Sequence, residues 1–374
     1  MKCSFFQSSH CRSCELLDKS YAETIAFKQL ALERLFPLDK KAFKDPVTLE
    51  NDCSGSRSKA KFAVFYEGDQ ITFGFTTKEG SGKALETCPL HFAGINDLLP
   101  VLKNLLNKYQ IIPYDLKTKR GELKYLLISK SSEEFLVRFV LRSKESMDRL
   151  RKLSLELGQK LPEVKVVTAN IQPIHQAIIE GEEEIILTEQ KVIIHKFDEF
   201  QLALGARSFF QVTPEIARRL YDAISKEVRE DKPTSLIDLY CGVGAFSFYA
   251  NRWCEDVTGV EISKEAIACA KESVLINESK IDFHALDVED YLKINPRKFA
   301  AVLVNPPRRG LNSNIIGFIK KIDPEFIYYS SCNAQTLQRD FLELSEQYQI
   351  KSLQLFDMFP YTAHFETLIC LKRK

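Results

Sequence analysis

Short apolar runs alternate with amphipathic stretches from about Thr234 to the end of the chain, and this alternation predicts βαβ units. Helical spacing in SKEAIACAKESVLIN predicts a helix with Ser263 as its N-cap. The predicted strands are SLIDLYC, DVTGVEI, IDFHALDV, AAVLVNPPRRG and PEFIYYSSCN, followed by the terminal pair SLQLFDMFP and FETLICLK. The second half is therefore predicted to be an α/β domain with a mainly parallel sheet that ends in a hairpin.

The first half has a different pattern. An amphipathic helix is predicted over residues 15–36, and alternating strands follow in KFAVFYEGDQITFGF, where Gly68 and Asp69 indicate a turn. LKYLLISKS and EFLVRFVLRS predict a hairpin, and ESMDRLRKLSLELGQ and VKVVTANI predict a helix and a strand. These elements predict an α+β region with an antiparallel sheet. The acidic run from Gly181 to Glu184 is interpreted as a solvated turn.

Composition limits the possible classes of protein. Of 374 residues, 45% are hydrophobic and 28% are charged, which excludes a disordered or fibrous chain. The 52 Lys and Arg nearly cancel the 51 Asp and Glu, so net charge gives no sign of a polyanionic partner. No apolar run has signal-peptide or membrane-span length, so a cytoplasmic location is expected. In the cytoplasm, the ten cysteines are expected to be ligands, nucleophiles or buried residues and not a set of disulfides.

A glycine turn follows the first strand of the second half. In Asp238-Leu-Tyr-Cys-Gly-Val-Gly244 the backbone can approach a ligand closely and offer the N–H groups of a helix start. Glu261 ends the next strand, where a carboxylate can bind both ribose hydroxyls. The turn lacks the third glycine of the pyrophosphate fingerprint, which favours S-adenosylmethionine over NAD. Asp287 either accepts from the adenine amino group or caps a helix.

Chemically active side chains are predicted at the carboxyl ends of the later strands, where open α/β sheets assemble their sites. Asn305 begins a rigid turn, NPPRRG, and Cys332 follows the strand PEFIYYSS. The final hairpin carries His364 and Glu366. A strand-end cysteine is usually a small buried residue, but here a base and a cofactor turn accompany it.

Five ordered motifs make the chain resemble the RNA uracil-C5 methyltransferases over nearly its full length. They are FFQVT (209–213), DLYCGVG (238–244), VNPPRRG (304–310), YSSCN (329–333) and DMFPYTAHFET (357–367). The resemblance implies a Rossmann-like S-adenosylmethionine-dependent fold, with Cys332 as nucleophile and Glu366 as base. It also implies that four further residues line the cofactor and uracil sites: Gln211, Tyr240, Glu261 and Asn305.

The N-terminal cysteines form a separate group. Cys3, Cys11 and Cys14 have the spacing C-x7-C-x2-C, and Cys88 lies far downstream. Four thiolates can hold a zinc ion or a 4Fe-4S cluster, and the residues alone do not choose between them. The resemblance to ribosomal RNA members of the family implies the 4Fe-4S cluster. The packing cysteines are predicted to be Cys53, Cys254, Cys269 and Cys370, with Cys241 as a small residue beside the glycine turn.

With the resemblance, the chain is predicted to have three regions: an iron–sulfur region (1–90), a central α+β RNA-binding domain (91–200) and a catalytic domain (201–374). The cysteine pattern, the asparagine at 305 and a start without an extra β-barrel resemble enzymes that methylate a hairpin-loop uridine in 23S ribosomal RNA. Candidate phosphate contacts are Arg142, Lys144, Arg149, Arg151, Lys152, Arg308 and Arg309, the first five alternatively forming a solvated face. A transfer RNA substrate and a non-catalytic RNA-binding protein remain alternatives; neither a membrane nor an obligate protein partner is expected.

Overall fold

A computed structural model describes residues 1–50, 53–77, 81–174 and 179–374. The helices are α1 (Ser4–Gln7), α2 (Tyr21–Leu35), α3 (Ile95–Lys108), α4 (Met147–Lys160), α5 (Pro214–Asp231), α6 (Ala245–Asn251), α7 (Lys264–Ile276), α8 (Val288–Ile294), α9 (Ser313–Ile322) and α10 (Ala334–Leu344). The strands of the first half are β1 (Lys59–Glu67), β2 (Gln70–Thr76), β3 (Gly82–Ala84), β4 (Leu123–Lys130), β5 (Phe135–Leu141), β6 (Val164–Ile171), β7 (Glu183–Ile186) and β8 (Ile193–Phe197). Those of the second half are β9 (Phe200–Leu204), β10 (Leu236–Leu239), β11 (Val257–Glu261), β12 (Ile281–Ala285), β13 (Ala301–Val304), β14 (Phe326–Ser331), β15 (Tyr348–Phe356) and β16 (Glu366–Arg373).

The chain forms two compact units that differ from the three predicted regions. Unit 1 comprises Met1–Arg12, Cys53–Lys196 and Leu204–Ala206; unit 2 comprises Ser13–Asp52, Phe197–Ala203 and Arg207–Lys374. No division falls near residue 90, because β1 on one side of it pairs with β4 on the other. The three regions therefore remain a functional prediction.

Unit 1 contains a seven-stranded sheet in the order β3-β2-β1-β4-β5-β6-β7. Its pairs are antiparallel except β5 with β6, which are parallel because α4 connects them. Leucines of α3 and α4 pack in the same apolar core as the sheet. The interpretation of the acidic run was wrong in one respect. Glu184 lies on β7 and accepts hydrogen bonds from the buried Arg138 guanidinium, so this carboxylate balances a buried charge.

Unit 2 contains the predicted α/β sheet, in the order β12-β11-β10-β13-β14-β16-β15. The pairs from β12 to β14 are parallel, and β16 runs antiparallel to both β14 and β15. This confirms the mainly parallel sheet with a terminal hairpin. Ser263 caps α7 as predicted, its hydroxyl accepting from Ala266 N at 3.2 Å. The carboxyl ends of β10, β11, β13 and β14 therefore lie along one edge of the sheet.

The segment from Ser13 to residue 50 belongs to unit 2. Its helix begins at Tyr21 rather than at residue 15, because Ser20 and Glu23 form a capping box. Leu32 and Phe36 are buried in the core of the α/β sheet. Farther along, Lys44 N donates to Leu353 O at 2.8 Å, so the segment also covers part of the edge strand β15. No helix within the described ranges is long and apolar enough to cross a membrane.

Candidate active site

The glycine turn after β10 leaves backbone open to a ligand. Tyr240, Gly242 and Gly244 all have left-handed φ values, of 62°, 55° and 84°. A Cβ at Gly244 would lie 2.4 Å from the Phe283 ring, so this position accepts only glycine. A Cβ at Gly242 would meet nothing within 4 Å. The turn therefore combines one tightly packed glycine with one that faces open space.

Asp238 carries a buried acceptor that the fold does not satisfy. Ser247 Oγ donates to Oδ2 at 2.6 Å, whereas Oδ1 is buried with no hydrogen-bond partner within the described residues. Burial, and secondarily the charge of Glu261, raises the pKa of Asp238 to about 7. A ligand that brings a cationic donor would satisfy this oxygen, and the ammonium group of S-adenosylmethionine is such a donor. Sequence reasoning missed the role of Asp238, although the position of this residue just before a glycine turn is a signal.

Tyr240, Glu261 and Asp287 lie at or just beyond the ends of β10, β11 and β12 at the same edge of the sheet. Glu261 ends β11 and is partly exposed, with Oε1 accepting from Ser263 N at 2.9 Å. Tyr240 is partly buried, and burial together with the charge of Asp287 raises its pKa to about 12. Asp287 caps α8, its Oδ1 accepting from Glu289 N at 2.8 Å, which supports the capping alternative. Gln211 is buried.

Glu366 is a buried carboxyl held in one orientation. It begins β16 with 1% of its surface exposed, and its Oε1 accepts from Asn305 Nδ2 at 2.9 Å and from Ser330 Oγ at 2.6 Å. Asn305 Nδ2 also donates to Ser330 O at 3.1 Å. Burial raises the pKa of Glu366 to about 7, although the two hydrogen bonds oppose the rise. Asn305, predicted to line the cofactor and uracil sites, therefore contacts the candidate base directly, as does Ser330, which sequence reasoning missed.

Cys332 lies just beyond β14 and is partly exposed. Burial raises the pKa of its thiol, and the charge of Glu366 raises it further. The positive charge of the nearby Arg308 guanidinium opposes this rise. The structure thus brings a thiol, a buried carboxyl and a guanidinium together from three separate motifs.

Helix α10 fixes the turn that carries Arg308. The Arg308 carbonyl accepts from Asn333 Nδ2 at 3.2 Å and from Thr336 Oγ1 at 3.3 Å. The buried Asp340 carboxylate accepts from Leu311 N and from Tyr329 OH, both at 2.7 Å. These bonds join the Arg308 turn to the residues that follow Cys332. The fold therefore anchors the backbone of Arg308 next to the segment that follows Cys332.

The opposing charges around Cys332 make thiol reactivity a test of this geometry. Replacing Arg308 by Met removes the stabilising cation, so we expect alkylation of Cys332 by iodoacetamide at pH 8 to slow about 3- to 10-fold. Glu366→Gln removes the opposing negative charge and is expected to speed the same reaction. Mass spectrometry of the Cys332 peptide gives both rates. Equal rates in the wild type and both variants would contradict the electrostatic coupling.

The first group of candidate phosphate contacts is partly engaged within unit 1. Arg142 donates to Glu122 at 2.8 Å, and Lys144 pairs with Glu183 at 2.6 Å. The Arg149 guanidinium donates to the Gln110 carbonyl. These contacts favour a surface stabilised by intramolecular pairs over a phosphate-binding patch.

The ten cysteines divide by exposure. Five are buried, as predicted for packing residues: Cys53, Cys241, Cys254, Cys269 and Cys370. Cys332 and the four candidate ligands Cys3, Cys11, Cys14 and Cys88 are partly exposed. Burial raises the pKa of Cys88, and the charges of Cys3 and Cys11 add to the rise. Across residues 1–50, 53–77, 81–174 and 179–374, no three Cys, His, Asp or Glu side chains are arranged as a metal-ligand set.

Comparison with known proteins identifies the family of the whole chain. Two relatives are the 23S rRNA (uracil(747)-C(5))-methyltransferases of Photorhabdus laumondii and Yersinia enterocolitica, 39% and 40% identical to the chain, with 99% of each chain covered. A solved structure of the Pyrococcus abyssi tRNA (uracil-54, C5)-methyltransferase with S-adenosyl-L-homocysteine has a TM-score of 0.80 and 24% identity. The structural match covers 96% of this chain and 85% of the Pyrococcus abyssi chain, and it shows that the two proteins share a fold. The model of the tRNA (Uracil-5-)-methyltransferase family matches residues 20–374. The chain therefore belongs to the tRNA (uracil-5-)-methyltransferase family.

Proposed function

We propose that this protein transfers a methyl group from S-adenosylmethionine to C5 of a uridine in 23S ribosomal RNA. The observation that carries the proposal is that the Cys332 thiol, just beyond β14, lies near enough to the buried Glu366 carboxyl at the start of β16 for the charge of Glu366 to act on it. The names and full-length similarity of the ribosomal RNA relatives support the substrate. The free acceptor of Asp238 and the open space at Gly242 support the cofactor.

The proposed reaction uses the thiol and the carboxyl in sequence. The Cys332 thiolate adds to C6 of uracil, and the electron density moves to C5, which attacks the methyl group of the sulfonium. Glu366 then takes the proton from C5, the C5–C6 double bond forms again, and the thiolate leaves. A base must accept a proton near neutral pH, and a pKa of about 7 suits that task.

Further roles follow from position. Gln211, Tyr240 and Glu261 are proposed to line the cofactor and uracil sites, with Glu261 accepting from ribose hydroxyls. Asn305 is proposed to orient the Glu366 carboxyl so that one oxygen stays bound by Asn305 and Ser330. Arg308 is proposed to stabilise the thiolate. The backbone N–H of His364 donates to Thr362 Oγ1 at 3.2 Å, and His364 is proposed to shape the hairpin without taking part in the reaction.

The substrate is proposed to be an unpaired uridine in a hairpin loop, because a stacked base costs a few kcal/mol to flip out. The near-neutral chain predicts weak non-specific RNA binding and a modest salt dependence. Region 91–200 is proposed to contribute RNA contacts. We expect ribosomal RNA from a deletion strain to lack one 5-methyluridine by mass-spectrometric mapping. Loss of the modification from transfer RNA instead would favour the alternative substrate.

We also propose that Cys3, Cys11, Cys14 and Cys88 hold a 4Fe-4S cluster, with a structural or RNA-docking role because methyl transfer needs no electron. Their partial exposure sets them apart from the packing cysteines, and thiolates are the ligands of such clusters. We expect anaerobically purified protein to be brown, with about four iron and four sulfide per chain. Replacing Cys88 by Ser should remove the colour, whereas Cys254→Ser should retain it. Colourless protein with stoichiometric zinc would contradict the proposal.

A further inference from the structure

A buried ion pair lies beneath the loop that leads to Glu366. Lys28 of α2 pairs with Asp357, and both side chains are 0% exposed. Within the described ranges, no other ion pair has both partners completely buried. Burying two charges is costly, so such a pair calls for a structural or functional explanation beyond stability.

The ion pair holds the beginning of the loop between β15 and β16. Asp357 is the first residue after β15, and Lys28 Nζ also donates to the Phe359 carbonyl at 2.9 Å. The other oxygen of Asp357 accepts from Tyr21 OH at 2.6 Å. Helix α2 therefore binds both a side chain and a backbone carbonyl of this loop.

Residues ahead of α2 hold the later part of the same loop. Leu16 N donates to the Tyr361 carbonyl at 3.0 Å, and Ala363 N donates to Glu15 Oε1 at 2.9 Å. Tyr361 has a φ of 58°, a conformation that a bulky residue keeps only when its surroundings impose it. The loop ends where Glu366 enters β16. Its path thus depends on segment 15–28 at several points before the candidate base.

We propose that Lys28 is a positioning residue for the base: by bridging Asp357 and the Phe359 carbonyl, it fixes the loop that places Glu366 for removal of the C5 proton. The inference rests on the proposed function, because it assigns Lys28 to one step of that reaction. Lys28 lies far from Glu366 in sequence, and neither Asn305 nor Ser330, which orient the carboxyl directly, belongs to this loop. The loop joins Phe356 and Glu366, which pair across the hairpin, so it contributes to where the carboxyl stands, whereas Asn305 and Ser330 orient the carboxyl.

The test separates methyl transfer from proton removal. Removing one member would leave an unpaired buried charge and destabilise the fold, so the main variant is Lys28→Met combined with Asp357→Asn. The substrate is in vitro transcribed 23S ribosomal RNA containing [5-³H]uridine, with ¹⁴C-methyl S-adenosylmethionine. We expect methyl transfer in a single turnover to stay within about threefold of wild type, and tritium release to slow at least about tenfold. The methylated covalent complex should then accumulate on denaturing gels.

The matched control is Lys351→Met, which removes a lysine paired with Glu227 and Asp231 in unit 2 but away from the loop. It should leave the ratio of tritium release to methyl transfer unchanged. Lys28→Arg keeps a cation beside Asp357, so this variant should release tritium faster than the double variant. A proportional fall of both rates in the double variant, no fall of either, or the same selective loss in Lys351→Met would overturn the inference.

Hydrogen exchange supplies a readout that does not depend on catalysis. In the double variant, amides of residues 357–365 should exchange faster than in the wild type and in Lys351→Met. Unchanged exchange there would overturn the positioning role even if methylation were altered. A wild-type enzyme that methylates neither ribosomal nor transfer RNA would overturn the proposed function, and the exchange result would still decide whether Lys28 holds the loop.

Discussion

Replacing Cys332 by alanine is expected to abolish methylation, with a loss of roughly 10⁴-fold or more in the single-turnover rate. The reason is chemical: C5 of uracil is a poor nucleophile until a thiolate adds to C6. The variant should also form no covalent complex with RNA and release no tritium from [5-³H]uridine. Transfer of ¹⁴C-methyl groups to 23S ribosomal RNA measures the effect.

The control for this variant is Cys254→Ala, which removes a buried cysteine without touching the site. It should retain methylation, apart from a modest loss of stability caused by the cavity. Calorimetry should show that Cys332→Ala still binds S-adenosylmethionine, since the proposed cofactor residues are intact. Undiminished methylation by Cys332→Ala would contradict covalent catalysis.

Glu366→Gln is expected to block the reaction at a later step. Glutamine can still accept from Asn305 and Ser330 but cannot take a proton, so the methylated adduct should persist. Release of the C5 proton should slow about 10²- to 10⁴-fold, whereas methyl transfer in the first turnover should continue. The measurement is the ratio of tritium released to methyl groups transferred, together with the amount of covalent complex.

The pH dependence of the wild type checks the same assignment. Burial raises the pKa of Glu366 to about 7, so the carboxyl is largely protonated below that pH and cannot act as a base. Once the methylated adduct has formed, release of its C5 proton should speed up with pH up to about 7 and then level off, and this acid limb should vanish in Glu366→Gln. Glu227→Gln, which changes another buried glutamate of unit 2, should keep the acid limb. If Glu227→Gln also lost the acid limb, or accumulated the methylated adduct, the pH dependence would be caused by a change in the fold and not by titration of Glu366.

Local sequence predicted many of the elements because their signals are short-range. The Gly68-Asp69 turn joins β1 and β2 with Glu67 opposite Gln70, and Ser263 caps α7. The order of strands and motifs placed Cys332 and Asn305 at strand ends, since a parallel sheet aligns those ends at one edge. Helix α5 went unpredicted, although Pro214 occupies its first turn, where proline is favoured.

The chemical groups available, a thiol, a carboxyl and a glycine turn, and their order along the chain can be read directly from the amino-acid sequence. Their protonation and hydrogen bonding follow from the three-dimensional arrangement. Burial raises the pKa of Glu366 to about 7, Arg308 and Glu366 oppose each other at Cys332, and Asp238 keeps an unsatisfied oxygen. Only the fold also shows that Lys28 reaches Asp357, more than 300 residues away. The reason is that desolvation, charge proximity and hydrogen bonding depend on distances in space, which local periodicity and motif spacing do not contain.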